Sequence, residues 1–159
     1  AMGQQQLLLL VLSTVIVGLA TVAGIQAFSE NQEQATQDAL VQRAVTMAGD
    51  VLAAHNEPSQ FGGANLNDGN PGEVATAAGF TGGNGSGENI PADGVGENAQ
   101  CDISISSGVA TISCSSTDDD DYSSGRNQYV EVEVDPSATG NNKIGDPSIN
   151  GETSNGEAS

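Results

Sequence analysis

Tryptophan is absent from this chain, and only three Phe and two Tyr stand among its 159 residues. A small domain with so few large core formers buries little apolar surface by itself, so it has to lean on a helix, a cross-link or its neighbours. Basic side chains are as scarce: Arg43, Arg126 and Lys143 face 21 Asp and Glu, for a net charge of −18. Phosphate contacts need a basic patch, and general nucleic-acid binding is therefore excluded. Self-repulsion of this size works against a compact state at low ionic strength, whereas at molar salt the Debye length shrinks to about 3 Å and most of the repulsion is screened. The balance reads as that of an acidic, halophilic protein, the alternative being an acidic secreted protein from an ordinary habitat. Histidine occurs once, at His55, without a second His or a nearby Cys. It reads as a solvated helix-end residue, where a positive charge would suit the C-terminal dipole. No His is paired with a nucleophile and no spacing gathers metal ligands, so the chain is not read as an enzyme and no cofactor is expected.

Charge is also missing from the start of the chain, where none appears before Glu30. Residues 7–25, LLLLVLSTVIVGLATVAGI, match the about 20 apolar residues that cross a bilayer as a helix. This run is longer than a signal-peptide core, has no Lys or Arg before it and has no clear small-residue cleavage site, so it is expected to be retained. From Phe28 to Asn56 there is no Pro and one Gly, and the helix should run on. A helix over residues 3–56 would be roughly 80 Å long, far more than a bilayer needs. Small residues recur four apart, at Thr14 and Gly18, Ala20 and Gly24, Ala23 and Ala27, a spacing that lets helices approach closely; any single such pair also arises by chance. In residues 29–57 the helix becomes two-faced, with Ala35, Ala39, Leu40, Ala44, Met47, Ala48, Val51 and Leu52 as a narrow apolar stripe, until Pro58 stops it.

Residues 59–100 are mostly turn chemistry, with Val74 to Phe80 and Ile90 as the only short apolar anchors. The glycine run near Gly82 lacks the Lys-Ser/Thr ending of a P-loop and the spacing of a dinucleotide fingerprint. Asn84-Gly85-Ser86 is a sequon for N-glycosylation, and O-linked sugar on the many Ser and Thr is an equal candidate. Residues 101–114, CDISISSGVATISC, alternate in polarity on both sides of Ser107-Gly108 and read as a hairpin with a two-residue turn. Folding there pairs Ser106 with Val109, Ile105 with Ala110, Ile103 with Ile112 and Cys101 with Cys114. The last is a non-hydrogen-bonded pair, with Cα atoms within about 4.5 Å, inside disulfide range. Asp118, Asp119, Asp120 and Asp121 offer the oxygen ligands that Ca²⁺ wants, but no Gly and no closing Glu stand where an EF-hand demands them, and a solvated acidic loop is the other reading. Residues 129–134, YVEVEV, form a half-buried strand with Val130, Val132 and Val134 inward, expected to pair with the hairpin. Residues 135–159 have a composition typical of disorder and are read as an extended acidic arm lying on the head or across a neighbouring subunit. The fold class is α+β: residues 1–28 an apolar core helix, 29–57 its amphipathic continuation, 58–134 a small antiparallel β head, 135–159 the arm.

The opening Gly3-Gln4-Gln5-Gln6-Leu7-Leu8-Leu9-Leu10, continued by Val15-Ile16-Val17-Gly18, resembles the GQQQLLL start of a bacterial group of type IV pilin-like proteins, over roughly the first third of the chain. Better-known pilins carry a Glu at the fifth mature position that meets the N-terminal amine of a neighbour. Here that position is Gln5, so a neutral hydrogen bond from Gln4, Gln5 or Gln6 would have to replace the charge pair. The resemblance implies a prepilin peptidase that removes a short basic leader, a methylated N-terminus, pilus assembly machinery, and a self-assembling helical homopolymer that leaves an inner-membrane pool for the cell surface. Gln4, Gln5, Gln6, Leu8, Thr14, Gly18, Ala20 and Gly24 are the candidate assembly residues. The extracellular address that follows favours a Cys101–Cys114 disulfide over two reduced core cysteines, with about 3 kcal/mol of stabilisation in the chain-entropy model. Adhesion, motility and DNA uptake are not distinguished. A minor pilin or secretion pseudopilin, and a single-span anchored surface binding protein, are the alternatives.

Overall fold

A computed structural model of the protein describes residues 2–80, 85–116, 128–140, 142–149 and 152–153. Its first element, α1, is a single α-helix over Met2–Asn56, 55 residues long, with no Pro or charged first turn to interrupt it. The chain divides into two units between Ala35 and Thr36. In the first, every described side chain from residue 2 to residue 35 is exposed.

The second unit begins with the last turns of α1, which bury Leu40, Ala44, Met47, Ala48, Val51 and Ala54. Most of this is the stripe expected from the periodicity, with Ala39 and Leu52 at its half-buried margins; Ala35 is a correction, being exposed. The helix ends before Pro58, which restricts the residue ahead of it to extended backbone, and the last helical bond runs from the Glu57 N–H to the Ala53 carbonyl at 3.1 Å.

Two single-turn 3-10 helices follow, Ser59–Phe61 and Leu66–Asp68, and then α2, Pro71–Ala77. This short helix falls in a stretch expected to be mostly turns. Asn70 caps it, its side-chain oxygen accepting from the N–H groups of Gly72 and Glu73, and Pro71 occupies the first helical turn, where a missing N–H costs nothing. It contributes Val74 and Ala75 to the core.

Among the described residues, six strands form one antiparallel sheet in chain order: β1 (Ile90–Pro91), β2 (Gln100–Ser106), β3 (Val109–Ser115), β4 (Tyr129–Val134), β5 (Ser148–Ile149) and β6 (Glu152–Thr153). The β2–β3 hairpin has the expected register, with Cys101 opposite Cys114, Ile103 opposite Ile112 and Ser106 opposite Val109. Its turn residues Ser107 and Gly108 have φ of 53° and 81°, the positive pair that a tight hairpin needs to match strand twist. β4 pairs with β3, Val130 facing Cys114 and Val132 facing Ile112. One face of the sheet therefore carries Cys101, Ile103, Ala110, Ile112, Cys114, Val130, Val132 and Val134, which pack in one cluster with the buried stripe of residues 40–51. Ala44 and Ala48 are fully buried in that stripe.

The arm is only partly the extended segment expected from composition. Ile149 pairs with Val130 and Ser148 with Glu131, β6 folds back on β5, and Ile144 bridges to Val134. The arm is thus attached to the sheet of its own chain by backbone pairing around Ile144 and Ile149, including the Gly145 N–H to the Glu133 carbonyl at 2.8 Å.

Candidate assembly surface

From residue 7 to residue 25 the helix presents twelve large aliphatic side chains to the outside, from Leu7 at 65% exposure to Ile25 at 63%. Burying a Leu, Val or Ile is worth roughly 1.5–3 kcal/mol, so covering this surface is worth on the order of 20 kcal/mol. No cross-link or cap in the head approaches that figure. Polar groups inside the run have been settled within the helix itself. Ser13 Oγ donates to the Leu9 carbonyl at 2.8 Å, Thr14 Oγ1 to Val11 at 2.7 Å and Thr21 Oγ1 to Val17 at 2.7 Å. Each hydroxyl can therefore enter an apolar medium without leaving a donor unpaired. Helical geometry is unbroken at Gly18 and Gly24, and a Cβ built on either meets nothing within 4 Å. Space beside these positions is open to a closely approaching backbone. Leu8 and Ala20 are exposed on the same run, and Gln4, Gln5 and Gln6 form an uncharged, exposed polar turn at its start.

In the second unit, Cys101 and Cys114 are joined by a disulfide, with Cα atoms 4.0 Å apart and both residues fully buried. His55 is half-buried rather than solvated: Nδ1 accepts the Leu66 N–H at 3.2 Å, a correction to the reading of a free helix-end residue. It also lines a small recess of about 220 Å³ with Asn67, Asp135 and Ser137. In that recess the Asp135 carboxylate accepts from Ser137 Oγ at 2.5 Å and from the Ser137 N–H at 3.0 Å; these bonds, the hydroxyl's first, hold its carboxyl below the ordinary value of 3.8. A larger groove of about 650 Å³ is walled mainly by Gly and Ala, with Asn70, Glu73 and Thr76 as its polar members; the Asn70 oxygen is already engaged in capping α2, and Thr76 Oγ1 donates to the Gly72 carbonyl at 2.8 Å.

Gln37 donates to the buried Gln128, tying α1 to the start of β4. Arg43 lies with its guanidinium carbon 5.9 Å from the centre of the Phe80 ring, and its Nη2 donates to the Pro91 carbonyl at 3.2 Å. This placement was not readable from spacing, because Phe80, after α2, and Pro91, in β1, are both distant from Arg43 in the chain. The Ca²⁺ candidates Asp118, Asp119, Asp120 and Asp121 and the sequon residue Asn84 lie outside the described residues. Among the described residues, no group of three or more His, Cys, Asp or Glu is placed to hold a metal.

The architecture is pilin-like: a long helix, apolar in its N-terminal part, packed through its C-terminal part on a small antiparallel sheet that carries a disulfide. By length and composition the helix is able to cross a membrane, and with the disulfide this points to a membrane or secreted protein. No family model, no curated protein and no solved structure matches the chain.

Proposed function

We propose that this chain is the structural subunit of an extracellular, type IV pilus-like helical filament, held in the membrane by the apolar part of α1 until the assembly machinery transfers it into a bundle of identical helices. The observation that carries the reading is the run of twelve outward aliphatic residues between positions 7 and 25, set in a chain of net charge −18. Lipid covers such a surface before assembly, and copies of the same helix cover it afterwards. Between helices the gain comes from close packing rather than from leaving water, which is why open space at Gly18 and Gly24 and internally bonded hydroxyls at Ser13, Thr14 and Thr21 support a bundle. Gln5 leaves no carboxylate to meet a neighbour's amine. Registration at this end then falls to neutral hydrogen bonds from Gln4, Gln5 and Gln6.

The same helix would also anchor a lone surface protein, and the two readings separate experimentally. Material sheared from cells kept in brine is imaged by electron microscopy, and its main band is identified by mass spectrometry. Thin fibres composed of this chain are expected. A chain that stays in the membrane fraction, monomeric in detergent and absent from sheared fibres, replaces the filament by the anchored protein; fibres in which it is a trace component make it a minor subunit.

A further inference from the structure

The charges of α1 are unevenly shared. Glu30, Glu33, Asp38 and Asp50 carry its negative side chains, while Arg43 is its one Arg or Lys. Between residues 2 and 29 there is no charge at all, so the apolar part of the helix cannot tell one stagger between parallel copies from another by electrostatics. In register, identical helices place Arg43 beside Arg43 and Glu33 beside Glu33, each a repulsive pair. An offset of five, ten or thirteen residues instead sets Arg43 of one copy against Asp38, Glu33 or Glu30 of the next. These three carboxylates are exposed.

Arg43 is prepared for such a contact. A guanidinium has five N–H donors; here one bond goes to the Pro91 carbonyl, Nε is buried with no acceptor, and among the described residues no carboxylate pairs with it. Phe80 and Pro91 hold the group in place, so little side-chain freedom is left to lose when an anion arrives. We infer that Arg43 receives an α1 carboxylate (Glu30, Glu33 or Asp38) of a neighbouring copy and thereby fixes the stagger between subunits. This rests on the filament reading above.

The test is assembly of full-length protein, purified in detergent and transferred to salt solution, followed by electron microscopy and by the critical concentration for fibre formation. Arg43→Lys should assemble within about twofold of the wild type. Arg43→Gln should raise the critical concentration roughly two- to fivefold, as for a partly exposed pair, and Arg43→Glu should raise it further. The differences should shrink as salt rises from about 0.5 M to about 3 M. Combining Arg43→Glu with Glu30→Arg, Glu33→Arg or Asp38→Arg should restore assembly in one of the three pairs, which identifies the partner. The inference is overturned if Arg43→Glu assembles like the wild type, if no reversed pair recovers, or if the loss is matched by a lower unfolding temperature of the unassembled variant in detergent. Absence of fibres from the wild type overturns the filament reading and this inference together, whereas fibres indifferent to position 43 overturn this inference alone.

Discussion

His55 takes the N–H of a residue eleven positions further on, and the side chain of that residue, Leu66, is fully buried. The bond closes the loop after α1 back onto the helix, together with the Ala64 N–H donating to the Ala54 carbonyl. Removing the imidazole leaves the Leu66 N–H without its acceptor, at a cost of about 1–3 kcal/mol. Thermal unfolding of full-length His55→Ala in detergent should show a midpoint lower by several degrees, and an unchanged midpoint would mean that the loop does not depend on this bond. Asp135 gives a pH signature of opposite origin. Its carboxylate is the bonded form, so its folded value lies below 3.8, and its contribution to stability is complete above that value and lost as pH falls through the lower folded one. Carbon-detected NMR titration should place the Asp135 midpoint under 3.8. Ser137→Ala, which removes the hydroxyl, should move that midpoint up.

Among the elements, the β2–β3 hairpin was the most legible from sequence. Period-two alternation and the Ser107-Gly108 turn set one register, and that register puts Cys101 against Cys114. At Gly108 the φ of 81° is what calls for glycine; the nearest atom to a Cβ there, Asn67 Oδ1 at 2.6 Å, is the end of a side chain that can move aside. The length of α1 and the strand 129–134 were legible for the same reason, since uninterrupted or strictly periodic patterns outweigh local noise. α2 was not, although Asn70 and Pro71 form a recognisable helix start; seven residues among so many glycines carry too little periodicity. The contacts of His55, Arg43 and the arm were hidden because no periodic pattern or turn signal links these residues to their partners. The Cys101–Cys114 cross-link adds to the packing of Ile103, Ala110 and Ile112 in holding the hairpin. Replacing both Cys101 and Cys114 by Ala should cost about 3 kcal/mol, read as a lower unfolding midpoint, and reductant should produce a similar fall in the wild type. A midpoint insensitive to both would mean that the core packing of β2 to β4 suffices.

For the molecule as a whole, two opposed surfaces have to be reconciled: an uncharged aliphatic run in residues 7–25 and a chain that carries −18 overall. On the filament reading proposed above the first is covered by lipid or by copies, while the second repels its own kind. Screening decides which dominates. At about 0.1 M salt the Debye length is about 10 Å and neighbouring carboxylates on the head feel one another, while near 1 M it is about 3 Å and they do not. Unfolding temperature of the full-length chain in detergent should therefore fall as salt is lowered from about 3 M to about 0.1 M. Salt also strengthens apolar burial, so the comparison needs a variant that differs in charge alone. Glu73→Gln, Asp93→Asn, Glu97→Gln and Glu133→Gln, all exposed on the head, remove four negative charges without touching the core. This variant should lose distinctly less stability than the wild type on dilution of the salt. If both fall in parallel, apolar burial is the salt-sensitive quantity and the acidic excess is not the source of the salt dependence.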